Sequence, residues 1–143
     1  MAIPINKTTG ILDRDSNKKI GIRTPFQNSD DGYFDYTSLT KDAVKENIIS
    51  LIKTRKGERL MQPHLGLGLE KILFENITEE LKIIIEDDIR GAMKRWLPFV
   101  IVKNIQVTES KSHTGLENTV EIGIDFSMSY TPNMNDSVQI VIE

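Results

Sequence analysis

Glu58, Glu70, Glu75 and Glu79 fall in or beside one glycine-punctuated stretch, TRKGERLMQPHLGLGLEKILFEN, from Thr54 to Asn76. Paired carboxyls are the working parts of glycosidases, held about 5–5.5 Å apart for retention of configuration or about 6.5–9.5 Å apart for inversion. With 21 acidic residues in the chain, some carboxylates must be neighbours without forming such a pair, so solvated side chains are the simpler reading. His64 and His113 are the only histidines, and the absence of cysteine rules out disulfides and thiolate chemistry. A zinc site needs three or four convergent ligands, and neither histidine has a second ligand at a useful spacing. A Ser-His-Asp triad is open by count alone, but no G-x-S-x-G elbow supports one. Gly66 and Gly68 begin a G-x-G, yet Lys71 stands where the last glycine of the fingerprint belongs and no G-K-[ST] follows. A glycine turn is expected there, with no cofactor, metal or small-molecule substrate.

The cationic cluster Lys53, Arg55, Lys56 and Arg59 has two readings. Lys53 and Lys56 suit the C-terminal end of a helix, where the backbone dipole favours positive charge. Arg55 and Arg59, flanking Gly57, suit bidentate contacts with carboxylates, and both a contact within the fold and one across an interface stay open. Over the whole chain, 18 basic residues against 21 acidic ones give a net charge of -3, so no general attraction to nucleic acid or to an anionic membrane is expected. Proteins are the expected partners. The start MAIPINKTTG lacks the pattern of a signal peptide, and no window reaches the ~18 apolar residues needed to cross a bilayer. The chain therefore reads as soluble and cytoplasmic in origin.

The elements that would position these residues follow from periodicity. A chain of 143 residues fits one domain with a real core. Residues 1–36 are polar and rich in turn formers, with one short strand around Ile20 and Ile22, and read as an arm preceding a main body at 37–143. Val44, Ile48, Leu51 and Ile52 repeat at helical spacing, with Thr40 as N-cap and an end near Lys56, before Gly57. A second helix is expected from an Asn76 cap with Glu79 three residues on, burying Leu81, Ile84, Ile85, Ile89, Ala92 and Trp96 and stopping before Pro98. Beyond it the period drops to two. Leu116, Val120, Ile122, Ile124, Phe126, Met128 and Tyr130 share one face of a strand, Val100 to Thr108 pairs with it through the ESKSHTG loop, and TPNMND turns the chain into a last strand from Ser137 to Glu143. The expected class is α+β, with two main helices packed on one face of a small, mainly antiparallel sheet. Between the helices, Leu60, Met61, Leu65, Leu67, Leu69, Leu73 and Phe74 would make the glycine-rich stretch a buried connector.

The order of these pieces resembles a known family. A helix ending in T-R-K-G-E-R, an apolar pair and a proline, then L-G-L-G-L and L-F-E-N, then an amphipathic helix closing on an aromatic and a proline, is similar to the baseplate wedge proteins of contractile phage tails. Their relatives include the sheath initiator of T-even phages and a baseplate subunit of type VI secretion machines, and some are labelled lysozyme-like. The similarity spans about residues 40 to 130. It implies a structural, non-enzymatic virion protein of the tail baseplate, assembled in the host cytoplasm, whose partners are the helical core bundle of other wedge proteins and the tail sheath subunits.

The resemblance also implies where contacts fall. Family members carry a Glu-Pro-Arg triplet after the second helix, which docks on the core bundle. Here the triplet is Leu97, Pro98 and Phe99, so only the proline carries over and an apolar docking mode is implied, with Leu97 and Phe99 either in a partner's groove or in the core. Arg55 and Arg59 join this docking set. The second implied contact is strand exchange with the first sheath ring, through Val138, Gln139, Ile140, Val141 and Ile142 at the expected sheet edge; no lysine or proline blunts Ser137 to Glu143. The competing functional class is a muramidase working through the glutamates named first. A third reading is the equivalent subunit of a type VI secretion or related injection system.

Overall fold

A computed structural model describes residues 19–24, 26–28, 32–69, 78–111, 118–129 and 131–142. Two compact units divide the chain, Met1–Asn47 and Ile48–Glu143. In the first, β1 (Gly21–Ile22) pairs antiparallel with β2 (Tyr36–Thr37), Gly21 opposite Thr37. This is the short strand expected around Ile20 and Ile22. Arg23 and Asp35 close the ribbon with an ion pair of 3.0 Å, and the rings of Phe26 and Phe34 meet edge to face at 5.9 Å. Thr37 is buried, and its Oγ1 has no hydrogen-bond partner among the described residues. An unsatisfied buried hydroxyl is costly, so Thr37→Val should raise stability by about 1 kcal/mol, read as an increase in the denaturant midpoint.

Helix α1 (Thr40–Lys53) begins in the first unit and ends in the second. Ala43, Val44, Ile48, Leu51 and Ile52 are buried along one face, as their spacing requires. Thr40 is the first helical residue instead of the cap, and the amides of Asp42 and Ala43 both donate to the Leu39 carbonyl. The helix also stops three residues short of Lys56. Thr54 explains the stop. Its amide makes a last helical bond to Ser50 O at 3.1 Å and its Oγ1 donates to the same oxygen at 2.5 Å, while the next amide, of Arg55, is taken by Glu58 Oε2 at 3.0 Å.

Helix α2 (Glu79–Trp96) is capped by Thr78, whose Oγ1 accepts the Leu81 amide at 3.3 Å. The expected Asn76 cap lies outside the described residues, and Glu79 stands at the first helical position instead of the third. A local capping bond decides such a boundary, and Thr78 offers it with extended backbone angles. Ile85, Ile89 and Met93 form the buried stripe, with Leu81, Ala92 and Trp96 half-buried. Ile84 departs from expectation: it lies beside Ile83 on the exposed side, 58% accessible, and Met93 takes the inward place because it follows Ile85 and Ile89 at intervals of four.

The second unit is completed by β3 (Val100–Lys111), β4 (Asn118–Met128) and β5 (Thr131–Ile142), an antiparallel sheet of order β3-β4-β5 with α2 packed on β3. Val120, Ile122, Ile124, Phe126 and Met128 are buried, as the two-residue period demands, and face Ile105 and Val107 on one side and Val138, Ile140 and Ile142 on the other. Leu116, Tyr130 and the tip of the ESKSHTG loop lie outside the described residues. Two strands are longer than their apolar patterns. β3 runs on from Thr108 to Lys111, and TPNMND is strand instead of turn, because the reversal is made immediately after Met128 and the ladder resumes with Met128 opposite Thr131. The architecture is α+β with antiparallel sheets, the class expected from the sequence.

Candidate functional site

The loop after α1 is a chain of three reverse turns. Glu58 N donates to Arg55 O at 3.2 Å, Gln62 N to Arg59 O at 3.1 Å, and Leu65 N to Gln62 O at 3.0 Å. Gly57 N bonds to Pro63 O at 2.9 Å and closes the loop on itself. Gly57 sits at the third position of the first turn with φ 89°, a place that favours glycine. Gly66 (φ 101°) and Gly68 (φ 68°) also take positive angles, so the glycine turn expected from L-G-L-G-L is present.

Gly66 has a second reason to be glycine. A Cβ there would stand 2.2 Å from the Thr54 carbonyl oxygen, which accepts the Leu67 amide at 3.1 Å. That bond ties the far end of the loop to the end of α1. Leu67 and Leu69 then enter the core, and Leu65 is half-buried.

Leu60 and Met61 do not. They are the two central residues of the Arg59–Gln62 turn and are 95% and 94% exposed, so the picture of a wholly buried connector is wrong at its middle. The turn geometry sends both side chains outward, away from the strip that Leu67 and Leu69 fill. The sequence does contain a signal for this. An apolar pair bounded by G-E-R and Q-P is too short to form a buried element and lies between turn formers. Leu73 and Phe74 lie outside the described residues.

Of the candidate catalytic glutamates, Glu58 and Glu79 are among the described residues, and each has its own partner. Glu58 is spent on the Arg55 amide, and Glu79, exposed at the first turn of α2, pairs with Lys82 Nζ at 2.7 Å. Glu70, Glu75 and His113 lie outside the described residues, and His64 is exposed in the Gln62–Leu65 turn. Among the described residues no group of three His, Asp or Glu side chains could hold a metal, and no helix is long and apolar enough to cross a membrane.

The two docking stretches each follow a helix. Arg55 and Arg59 are exposed on the turns after α1. After α2, Leu97 N donates to Met93 O at 2.8 Å and Val100 N to Leu97 O at 2.9 Å, so Pro98 and Phe99 are the centre of another turn, with proline where its fixed φ is favoured. Leu97 is 9% exposed and belongs to the core, which decides its alternative; Pro98 is exposed and Phe99 half-buried. Ser129 N donates to Phe99 O at 2.9 Å, holding this turn against the end of β4.

β5 pairs with β4 along one side, and no described strand lies on its other side. Val138, Ile140 and Ile142 anchor it in the core, whereas Ser137, Gln139 and Val141 are exposed. The Ser137 amide donates to Asp136 Oδ1 at 2.9 Å within β5 itself, which turns it to the open side. Antiparallel pairing alternates direction along a strand, so the amides of Gln139 and Val141 face the same way. Across the outer surface Lys103 of β3 hydrogen-bonds Asn135 of β5, spanning the sheet.

The described residues make a small α+β body with exposed turns and with β5 as the outer strand of the order β3-β4-β5. Comparison with known proteins gives the family. The chain belongs to the family described as baseplate wedge protein gp25, whose model matches residues 38–133. It is 34% identical over 61 residues to the baseplate wedge protein gp25 of Enterobacteria phage T4, an alignment that covers 43% of this chain and 46% of the T4 protein. The matched part is thus about half the length of that relative. Among solved structures, a chain of the anti-feeding prophage baseplate superposes with a TM-score of 0.63 at 25% identity, covering 78% of this chain and 86% of that one. A Geobacter sulfurreducens protein described as a tail lysozyme superposes with a TM-score of 0.61 at 22% identity, covering 76% and 94%, a likeness of fold alone. The protein is a gp25-like structural baseplate subunit of contractile tail systems.

Proposed function

We propose that this subunit, assembled in the host cytoplasm, docks on the helical core bundle of neighbouring wedge proteins and starts sheath polymerisation by offering β5 to the first sheath subunits. Residues 1–36 serve as an arm, and 37–143 as the wedge body. The observation that carries the reading is that no described strand lies on the outer side of β5. Its inward residues Val138, Ile140 and Ile142 lock the strand to the core, and the opposite backbone edge is left facing out at Ser137, Gln139 and Val141. An anchored edge of this kind fixes the register in which a foreign strand can add. Arg55, Arg59, Pro98 and Phe99 supply the docking side, with Leu97 holding the turn from within.

The test uses a tagged chain in cells that produce the whole tail. Removing Ser137 to Glu143 would also strip Val138, Ile140 and Ile142 from the core, so a point change on the open side is the cleaner variant. Val141→Pro should still co-purify with wedge proteins and lose the sheath subunits; retention of both partners would refute strand addition. As to the muramidase reading, Glu58→Gln and Glu79→Gln should leave tail assembly unchanged, and the purified chain should show no peptidoglycan clearing in a turbidity assay before or after either change.

A further inference from the structure

We infer that Leu60 and Met61 form an apolar plug that seats in a pocket rimmed by carboxylates on another protein of the baseplate. This takes from the proposed function only that the chain docks on baseplate proteins, and it does not depend on β5. Central positions of reverse turns are normally filled by Gly, Pro, Asn, Asp or Ser, whose conformational habits suit them. Leucine and methionine have no such advantage, and at 95% and 94% exposure neither gains anything from its own chain. The loop beneath them is stiff. Three successive turns, the Gly57 to Pro63 closure at 2.9 Å and the Leu67 to Thr54 tie at 3.1 Å hold the tip in one shape. A tip ordered in advance loses little entropy on binding, and methionine adapts to an irregular pocket.

Charge identifies the rim. Lys53, Arg55, Lys56 and Arg59 precede the tip within seven residues of Leu60, and Glu58, whose Oε2 accepts the Arg55 amide, is the one carboxylate in the sequence from Lys53 to Leu69. The loop is therefore locally cationic in a chain whose net charge is -3, and complementarity calls for aspartates and glutamates around the receiving pocket. Anionic lipid would answer the same charge. Size argues against it, because even a full myristoyl chain binds a bilayer only marginally, and these two side chains carry roughly half as many heavy atoms. A preformed protein pocket uses the same two side chains far better, as a central hot spot desolvated by its surroundings.

The experiment replaces the native chain by tagged L60S/M61S in cells producing the whole tail. Because both side chains are solvated, the purified variant should melt with the wild-type protein. It should enter baseplates at least about tenfold less, a loss of about 1.4 kcal/mol in docking. Lys56→Glu with Arg59→Glu should lower incorporation as well. Benzoylphenylalanine placed at position 60 should crosslink to another baseplate protein, within a peptide containing Asp or Glu. Normal incorporation of L60S/M61S overturns the plug while leaving the docking proposal intact, whereas a wild-type chain absent from baseplates overturns both. Binding to phosphatidylglycerol vesicles that disappears in L60S/M61S, with crosslinks only to lipid, also overturns it.

Discussion

Gly66→Ala is expected to cost about 4 kcal/mol, a large part of the roughly 5–15 kcal/mol that holds a domain folded. Two effects add. At φ 101° the backbone lies where an L side chain is strained, by about 1–3 kcal/mol. The new methyl would also stand 2.2 Å from Thr54 O, far inside contact distance, and the obstacle is backbone at the end of α1. Relieving it means giving up the Leu67 to Thr54 bond of 3.1 Å, worth about 1 kcal/mol, and drawing Leu67 and Leu69 out of place. Thermal unfolding should fall by roughly 10–20 °C. Two other glycines serve as internal comparisons. At Gly57, φ is 89° but nothing lies within 4 Å of a built Cβ, so Gly57→Ala should cost only the strain, about 1 kcal/mol. Gly91 lies inside α2 with nothing within 4 Å, and Gly91→Ala should stabilise by about 0.5–1 kcal/mol through helix propensity. Equal effects at the three positions would refute the close approach of Gly66 to α1.

Val141→Pro should have the largest effect on assembly with little effect on folding. The strand pairs with β4 through the side of the backbone used by Val138, Ile140 and Ile142, whose side chains are buried. Val141 is exposed, and its amide faces the open side by alternation from Ser137. Proline removes that donor and puts a ring where an incoming strand must lie, yet on an edge strand it leaves the internal ladder intact. A loss of one net hydrogen bond and of close strand approach should weaken recruitment of sheath subunits by about tenfold or more. Baseplates carrying the variant should form at normal yield and remain bare of sheath by electron microscopy. Val141→Thr, which keeps both the amide and strand propensity, should be decorated normally. Failure of baseplates themselves to form would point to a folding defect, which the melting temperature of the purified variant detects independently.

Much of this was legible along the chain. The even-numbered run of β4 named its buried face because side chains in a strand alternate, and Val120, Ile122, Ile124, Phe126 and Met128 are all buried; Ser127, expected on the wet face, is buried as well, next to the register shift at Ser127/Met128. The buried face of α1 was equally plain, since Val44, Ile48, Leu51 and Ile52 repeat at the pitch of a helix. Family membership was legible too, in an ordered string of glycines, turn residues and apolar pairs too long to arise from composition. The helix ends were not. A cap needs one hydrogen bond, and several residues near each end can make it, so Thr78 served where Asn76 had the better sequence pattern, and Thr54 with Glu58 ended α1 before Lys56. β5 ran past its apolar pattern for a related reason. Backbone pairing with β4 extends a strand whatever the side chains, so TPNMND became ladder.

What the sequence determined by itself was the identity of the surfaces that must leave water: periodicity is a one-dimensional record of which side chains share a face, and positive-φ turns demand glycine locally. What only the tertiary structure decided was where the unburied remainder goes. Leu60 and Met61 are as apolar as Leu67 and Leu69, and the flanking G-E-R and Q-P mark the first pair as a turn without fixing where its side chains point. The bond from Leu67 to Thr54 and the turn from Arg59 to Gln62 separate them, by directing one pair into the core and the other into solvent. The same holds for β5, whose alternation names its inner residues but not which strand lies beside it. That depends on the order β3-β4-β5, set by contacts between residues far apart in the chain.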